Sequence, residues 1–309
     1  MRAITVNAPD GKDAITFSER SVRNPSDGEI RIRVHAAAVN PADVFQWKSV
    51  GTALQPPFTP GMDIAGTVDS VGPGVHRLVV GQQVLAVVKP RRPEGGGQAE
   101  LVVIPESWAV VAPEGVDLTA AATLPMNGLT ALEGLRALNL PKGATLGVTG
   151  GAGQLASFVI PLARARGITV IADAKPDDKE LVLSFGAHHV VARGDFARAI
   201  RQLVPDGVDA VYDTAVITRA ALPAIRDNGS IAVVRGWDEP GEPERGITVH
   251  PVSVGTAFGK TEWLQDLADL AAVGVLPLRV AERVSPEDAQ QAYRRMARGG
   301  VRGRIVFTF

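Results

Sequence analysis

The stretch TLGVTGGAGQLASF (145–158) decides how this chain folds. Its first five residues, Thr145–Thr149, form a short apolar run typical of a buried β-strand, and the G-x-G-x-x-A motif Gly151–Ala156 follows. The pattern then predicts a helix and a second strand, 169–172, which ends beside Asp173. This acid lies about 20 residues after the second glycine of the motif, the spacing found in βαβ units that bind a dinucleotide.

Each part of the glycine motif has a physical role in holding a phosphate. Gly151 allows a tight turn, Gly153 lets backbone N–H groups approach a pyrophosphate, and Ala156 lets the helix pack closely on the sheet. The helix N-terminus carries a partial positive charge that stabilises the anion. The motif therefore predicts a dinucleotide site; a glycine turn without a ligand is the alternative.

Strands and helices alternate from residue 116 to about residue 250. The predicted strands are 144–149, 169–172, 190–191, 208–212 and 230–234, and the predicted helices are 117–124, 125–139, 153–166, 177–185, 196–203 and 218–227. This alternation is typical of a parallel sheet with helices on both faces. Two more helices, 260–273 and 286–298, are predicted before a final strand, 303–309.

The first 115 or so residues have a different pattern, in which short β-type runs are separated by glycine and proline. The predicted strands are 2–6, 29–39, 64–72, 82–88 and 99–105. Their alternation of apolar and polar residues favours an antiparallel β-barrel or sandwich.

The composition excludes several classes of function. Lys and Arg number 32 and Asp and Glu 33, a balance that argues against a partner with a phosphate backbone such as a nucleic acid. The absence of cysteine excludes disulfides, thiolate nucleophiles, iron–sulfur clusters and cysteine-ligated zinc. No apolar run is long enough to span a membrane, and the N-terminus lacks the apolar core of a signal peptide, so we expect a soluble cytoplasmic protein.

Four segments, taken in order, resemble the medium-chain dehydrogenase/reductase superfamily, in its zinc-independent quinone reductase and zeta-crystallin branch. They are VNPAD (39–43), PGMDIAGTV (60–68), LPMNGLTA (124–131) and the glycine loop. The resemblance implies an α/β fold, with a Rossmann doubly wound parallel sheet at 119–255 and a GroES-like β-barrel domain at 1–118 and 256–309. Zinc alcohol dehydrogenases of the same superfamily carry a cysteine and a G-H-E motif where this chain has Asn40 and Gly61-Met62-Asp63.

The resemblance therefore implies a reaction without zinc, in which NAD(P)H delivers hydride to a small-molecule quinone or α,β-unsaturated carbonyl. Asn40 would lie near the nicotinamide and the acceptor as the catalytic residue, and Thr130 near the nicotinamide ribose or phosphate. Gly151, Gly153, Gln154 and Leu155 would hold the pyrophosphate. The nicotinamide side would be lined by Thr214, Ala215, Arg235 and Gly236.

The acceptor pocket is assigned to Asp43, Phe45, Trp47 and Phe258, and here the chain departs from its relatives. Phe45 stands where relatives carry a tyrosine that can hydrogen-bond the reacting carbonyl. Trp47 replaces a common arginine, which indicates either an aromatic acceptor or a packed aromatic side chain. Gln98 replaces an aromatic residue after Gly96-Gly97.

Different residues of the sequence favour different cofactors. Asp173 would accept a hydrogen bond from a ribose 2′-hydroxyl and repel a 2′-phosphate, which favours NADH. Lys175 and Arg193 would attract the 2′-phosphate of NADPH, unless they are only surface charges. We expect NADPH, as in most relatives of this branch, with NADH left open.

Relatives dimerise through the edge of the Rossmann sheet, so a homodimer through the strands near 230–235 and 246–250 is expected. Two other functions stay open. One is a pathway-specific enoyl reductase of a biosynthetic route, acting on a specialised enone or an acyl thioester. The other is an NADPH-binding sensor or structural protein with little turnover. This function stays open because Phe45 stands where relatives carry a tyrosine that can hydrogen-bond the reacting carbonyl.

Overall fold

The structure is a computed structural model that describes residues 1–8, 14–43, 56–234, 237 and 244–309. It divides into two compact units. The first comprises Met1–Met126, Phe258–Gly274 and Leu278–Phe309. The second comprises Asn127–Ala257 and Val275–Pro277.

The strands and α-helices are numbered along the chain. The strands are β1 (Arg2–Val6), β2 (Ile15–Glu19), β3 (Glu29–Val39), β4 (Asp63–Val71), β5 (Gln83–Val87), β6 (Leu101–Pro105), β7 (Ala109–Val111), β8 (Thr145–Val148), β9 (Thr169–Ala174), β10 (His189–Ala192), β11 (Val208–Asp213), β12 (Ile225–Val233), β13 (Thr248–Pro251), β14 (Val280–Val284) and β15 (Arg304–Thr308). The helices labelled here are α1 (Leu118–Ala121), α2 (Pro125–Leu138), α3 (Ala156–Ala165), α4 (Lys179–Ser184), α5 (Phe196–Leu203), α6 (Thr261–Ala272) and α7 (Ala289–Arg298).

The first unit is built on antiparallel strands. Its main sheet runs in the order β14-β15-β3-β4-β5-β7, β6 also pairs with β3, and β1 and β2 form a separate antiparallel pair. Only the β14–β15 pair of this sheet is parallel among the strands that the structure describes. Alternate residues of β3, including Ile30, Ile32 and Val34, are buried in its core, as the period-two pattern predicts.

The second unit contains a sheet of six described strands, all parallel, in the order β10-β9-β8-β11-β12-β13. Counted along the chain, this is the order 3-2-1-4-5-6 of the doubly wound nucleotide-binding fold. The direction of winding reverses between β8 and β11. Ligands of such sheets bind outside the carboxyl ends of the strands at this reversal, so the fold itself marks the ends of β8 and β11.

These observations confirm the predicted α/β class, with a doubly wound parallel sheet and a separate β unit. The predicted helix over 218–227 is wrong, because Thr218–Ala224 form a 3₁₀-helix and β12 begins at Ile225. Pro223 lies within this segment and has no N–H with which to continue an α-helix. The helix after the glycine loop begins at Ala156 rather than at residue 153, and it continues past Pro161 to Ala165.

Candidate functional site

The glycine loop leads from β8 into α3 and is shaped by three glycines. Gly150 has a φ of +65°, in the left-handed region, so this glycine makes the turn that the sequence assigned to Gly151. Gly151 is required for another reason, because a Cβ there would lie 2.8 Å from the carbonyl oxygen of Asp173. The Gly153 N–H donates to the Gly150 carbonyl at 2.8 Å and closes the turn.

Asp173 lies beneath this loop at the end of β9 and is only 6% exposed. Its Oδ1 accepts a hydrogen bond from the Gly150 N–H, and its carbonyl accepts one from the Gly151 N–H at 3.0 Å. Burial raises the pKa of this carboxyl, while the backbone N–H groups and Arg193 act in the opposite direction. The carboxylate predicted to contact a ribose hydroxyl therefore also holds the loop itself.

Lys175 and Arg193 are both exposed and follow the carboxyl ends of two neighbouring strands. The Arg193 N–H donates to the carbonyl of Ala174 at 2.9 Å, which continues the pairing of β9 and β10 by one residue. Two cations therefore lie at the sheet edge beside Asp173.

The ends of β8 and β11 are joined by a side-chain network that the sequence did not predict. The Thr149 hydroxyl donates to Asp213 Oδ1 at 2.7 Å and accepts the Ala215 N–H at 3.0 Å. The Thr214 hydroxyl donates to the Thr149 carbonyl. Asp213 is fully buried, and its Oδ2 accepts the Thr218 N–H at 2.8 Å. The network fixes the turn Thr214-Ala215 at the reversal of the sheet.

Thr130 lies on α2 and is 7% exposed. Its carbonyl accepts a hydrogen bond of 2.7 Å from the hydroxyl of Tyr212 on β11. This contact fixes the helix carrying Thr130 against the strand that ends at Asp213.

In the first unit, Asn40 belongs to a buried cluster of charged side chains. Its Nδ2 donates to Asp63 Oδ2 at 2.6 Å, and its Oδ1 accepts from Arg304 Nε at 2.9 Å. Asp63 Oδ1 accepts the N–H of Met126, at the start of α2, at 2.5 Å. Asn40 and Asp63 are fully buried, so both ends of the Asn40 amide are used inside the protein.

Asp43 completes this cluster. The Asn40 N–H donates to its Oδ2 at 2.8 Å, while its buried Oδ1 has no hydrogen-bond partner among the described residues. Burial raises the pKa of Asp43 to about 7, and the nearby charge of Asp63 adds to the effect. Burial likewise raises the pKa of Asp63 to about 6, and it lowers that of Arg304 to about 10. Two acids share one buried base, which favours a protonated carboxyl near neutral pH.

The predicted site residues that the structure describes lie in two groups, one in each unit. The Phe258 ring packs edge-on against Trp108 at 5.0 Å between centroids. Phe45, Trp47, Arg235 and Gly236 lie outside the described residues. Gln98 is fully buried, where its Oε1 accepts from the Tyr293 hydroxyl at 2.7 Å.

Sequence reasoning missed Asp63 and Arg304 as functional candidates. From the sequence, Asp63 was considered only as part of Gly61-Met62-Asp63, which stands where zinc alcohol dehydrogenases carry a G-H-E motif. Arg304 opens the strand RIVFT, in which the residues from Arg304 to Phe307 are all buried. A charged residue beside a predicted buried run was the signal, since a buried arginine requires a partner.

The donors around Asn40 do not fit a zinc ion. The amide of Asn40 and the carboxylate of Asp63 bind each other, and the guanidinium of Arg304 contacts the same amide. Within the described ranges, no group of three or more His, Cys, Asp or Glu side chains is arranged to hold a metal. Among the described residues, no helix is long and apolar enough to cross a membrane.

Two family models match this chain. Residues 26–114 match the alcohol dehydrogenase GroES-like domain, and residues 155–272 match the zinc-binding dehydrogenase model. The chain is 34% identical to the NADPH-dependent alkenal/one oxidoreductase, chloroplastic, of Arabidopsis thaliana over 69% of its length and 57% of the relative. It is 32% identical to the quinone oxidoreductase of Rattus norvegicus over 62% of its length and 58% of the relative.

These alignments cover less than two thirds of the relatives' own lengths. A solved structure matches throughout: a mycobacterial protein in complex with NADPH superposes with a TM-score of 0.86 and 25% identity, covering all of both chains.

Asp43→Asn tests the buried acid cluster. A carboxyl whose pKa is raised on folding stabilises the fold below the unfolded pKa of about 3.9, and this contribution is lost as the pH rises through about 7. We expect the Asp43 carboxyl to lower the free energy of unfolding by about 2–4 kcal/mol between pH 4 and pH 7. Asp63, whose pKa is also raised, acts in the same direction, and carboxyls with a lowered pKa such as Glu29 act in the opposite direction. Asp43→Asn removes the Asp43 contribution, so the slopes of the variant and the native protein differ by this amount when urea unfolding is measured across that range.

The matched control is Asp266→Asn, at an exposed position on α6. It keeps the slope of the native protein. An Asp43→Asn variant with an unchanged slope contradicts the assignment of a protonated Asp43.

Proposed function

This chain belongs to the medium-chain dehydrogenase/reductase superfamily, in its zinc-independent quinone oxidoreductase branch, and from that premise we propose an NADPH-dependent oxidoreductase. The reaction is hydride transfer to a quinone, or to the β-carbon of an α,β-unsaturated carbonyl. One observation carries the proposal: the glycine loop, the turn Thr214-Ala215 and the two exposed cations all lie at carboxyl ends of strands in a sheet of order 3-2-1-4-5-6.

The preference for NADPH is supported by the surroundings of Asp173. Its carboxylate accepts the Gly150 N–H and is nearly buried, so its charge is partly compensated within the loop. Lys175 and Arg193 are exposed beside it, where a 2′-phosphate would gain charge-assisted hydrogen bonds. The alkenal/one relative is named as NADPH-dependent, and the mycobacterial structure contains NADPH.

The residues of this chain bind and position the reactants. The bound cofactor supplies the hydride, and solvent supplies the proton that completes reduction of the acceptor. The loop from Gly151 to Leu155, with the N-terminus of α3, holds the pyrophosphate. The Gly151 and Gly153 N–H groups donate within the protein and shape the loop, so the donors to the phosphates come from the residues that follow Gly153. Thr130, Thr214, Ala215, Arg235 and Gly236 are proposed to line the nicotinamide side.

Asn40 acts as a positioning residue for the turn that leads to Asp43. Its amide is fixed from both sides by Asp63 and Arg304, so it holds the turn to Asp43 rather than carrying a proton. Asp43, Phe45, Trp47 and Phe258 are proposed to surround the acceptor. In this scheme the rate enhancement comes from orientation of the reactants and exclusion of water.

The domain organisation and assembly are part of the same proposal. We assign the acceptor side to residues 1–118 and 256–309 and dinucleotide binding to residues 119–255. The compact units of the structure divide after Met126 and after Ala257 instead, and Val275–Pro277 belong to the second unit. β13 pairs with β12 and ends the parallel sheet among the described strands, which leaves an edge that a second copy could extend into a homodimer. The cytoplasmic location expected from the sequence stays a prediction.

The activity is tested with phenanthrenequinone and a simple enone as acceptors, each with NADPH and with NADH. We expect loss of reduced-nicotinamide absorbance with at least one acceptor, at a rate at least ~10-fold higher with NADPH. Turnover of the enone alone indicates an enone-specific reductase. Tight NADPH binding with no turnover of either acceptor indicates the sensor function, and no binding of either cofactor contradicts the proposal.

The 2′-phosphate assignment is tested by Lys175→Ala and Arg193→Ala. Each removes one cation beside Asp173, so each weakens NADPH binding by about 10-fold and leaves NADH binding unchanged. The measurement is titration of protein fluorescence with each cofactor. Lys142→Ala is the matched control, because this exposed lysine precedes β8 at the opposite edge of the sheet. Equal losses for NADPH and NADH would remove these residues from the 2′-phosphate site.

A further inference from the structure

Gln154 lies at the point where the glycine loop becomes helix α3. The next residue, Leu155, is the N-cap of this ten-residue helix and provides no side-chain hydrogen bond to the first turn. The main-chain carbonyl of Gln154 accepts a hydrogen bond of 2.8 Å from the hydroxyl of Ser157. The backbone of Gln154 is therefore fixed beside the positive end of a helix dipole, where an anion is stabilised.

The side chain of Gln154 is in the opposite situation, because it is buried without partners. The residue is 2% exposed, and neither Nε2 nor Oε1 has a hydrogen-bond partner among the described residues. Most buried side-chain amides are paired, since an unpaired donor or acceptor destabilises the folded state. This glutamine thus weakens the cofactor-free protein at the very loop that is proposed to bind the cofactor.

We propose that the side-chain carboxamide of Gln154 is itself a ligand of the dinucleotide, and that it turns out of its buried position when the dinucleotide binds. This inference rests on the proposed function and adds a contact to those of the loop backbone. Nε2 donates to a phosphate oxygen, and Oε1 accepts from a ribose hydroxyl.

The chemistry of the carboxamide selects this kind of ligand. A phosphate group offers only acceptors, so it can pair with Nε2 but leaves Oε1 unpaired. A pyrophosphate flanked by riboses offers phosphate oxygens and hydroxyl donors together, and it can satisfy both ends of the amide. Cofactor binding is then strengthened by relief of an unpaired buried group as well as by the new hydrogen bonds.

Gln154→Met tests the proposal, because methionine has a similar size and no amide. In the free protein we expect the melting temperature to rise by about 2 °C, since the unpaired polar atoms are gone. Binding of both NADPH and NADP⁺ weakens by about 10-fold, because the phosphates and riboses are common to the two forms. The measurements are a melting curve without cofactor and a fluorescence titration with each form.

Gln98→Met is the matched control, since Gln98 is also buried but its amide is paired. Its Oε1 accepts from Tyr293 and its Nε2 donates to the Ala38 carbonyl at 3.3 Å. The same substitution there lowers the melting temperature and leaves the affinity for NADPH unchanged. A second variant, Gln154→Glu, keeps an acceptor, removes the donor and adds negative charge, so it weakens NADPH binding more than Gln154→Met, by about 100-fold.

The outcomes separate this inference from the proposed function. If the native protein binds NADPH and Gln154→Met binds it equally well, the carboxamide is not a ligand and the proposed function stands. A loss for NADPH but not for NADP⁺ places the contact on the nicotinamide and overturns the assignment to phosphate and ribose. If the native protein binds neither form, the proposed function fails with it.

Discussion

The contact between the glycine loop and the end of β9 is the constraint on which the parallel-sheet unit depends. Gly151 must lack a side chain because its Cβ would lie 2.8 Å from the carbonyl of Asp173. The same aspartate accepts the Gly150 N–H through its side chain and the Gly151 N–H through its backbone. These contacts hold the first part of the loop on the sheet, so the part from Gly153 onward is presented at the N-terminus of α3.

The buried cluster around Asn40 plays a comparable part in the first unit. Asp63 and Arg304 fix the amide of Asn40 from opposite ends by hydrogen bonds. Burying three ionisable groups is costly, and breaking one partner of such a cluster costs more than the cluster contributes. The expected consequence is a rigid turn at 40–43 whose stability depends on pH.

Polar groups left unpaired mark the places where a folded protein is incomplete. Asp43 Oδ1 and both amide atoms of Gln154 are such groups among the described residues. The raised pKa of the aspartate reduces the cost of burying it, since a neutral carboxyl is less costly to bury than an ionised one. The glutamine cannot reduce its need for partners in this way, because an amide does not titrate. A bound ligand therefore explains its unpaired atoms better.

Local sequence determined much of this protein. The βαβ unit with its glycine loop and the strands β1, β3 to β6 and β15 of the first unit could be predicted, because hydrophobic period and glycine chemistry act between near neighbours. The short strands β2, β7 and β14 were missed. The family was identified from the resemblance of four segments taken in order. The tertiary structure alone decided which residues meet. Arg304 contacts Asn40 across 264 positions, and Asp173 binds the loop that it was expected to flank. Such contacts depend on how the strands are ordered in the sheets, and a side chain's neighbours across a sheet cannot be read from its neighbours along the chain.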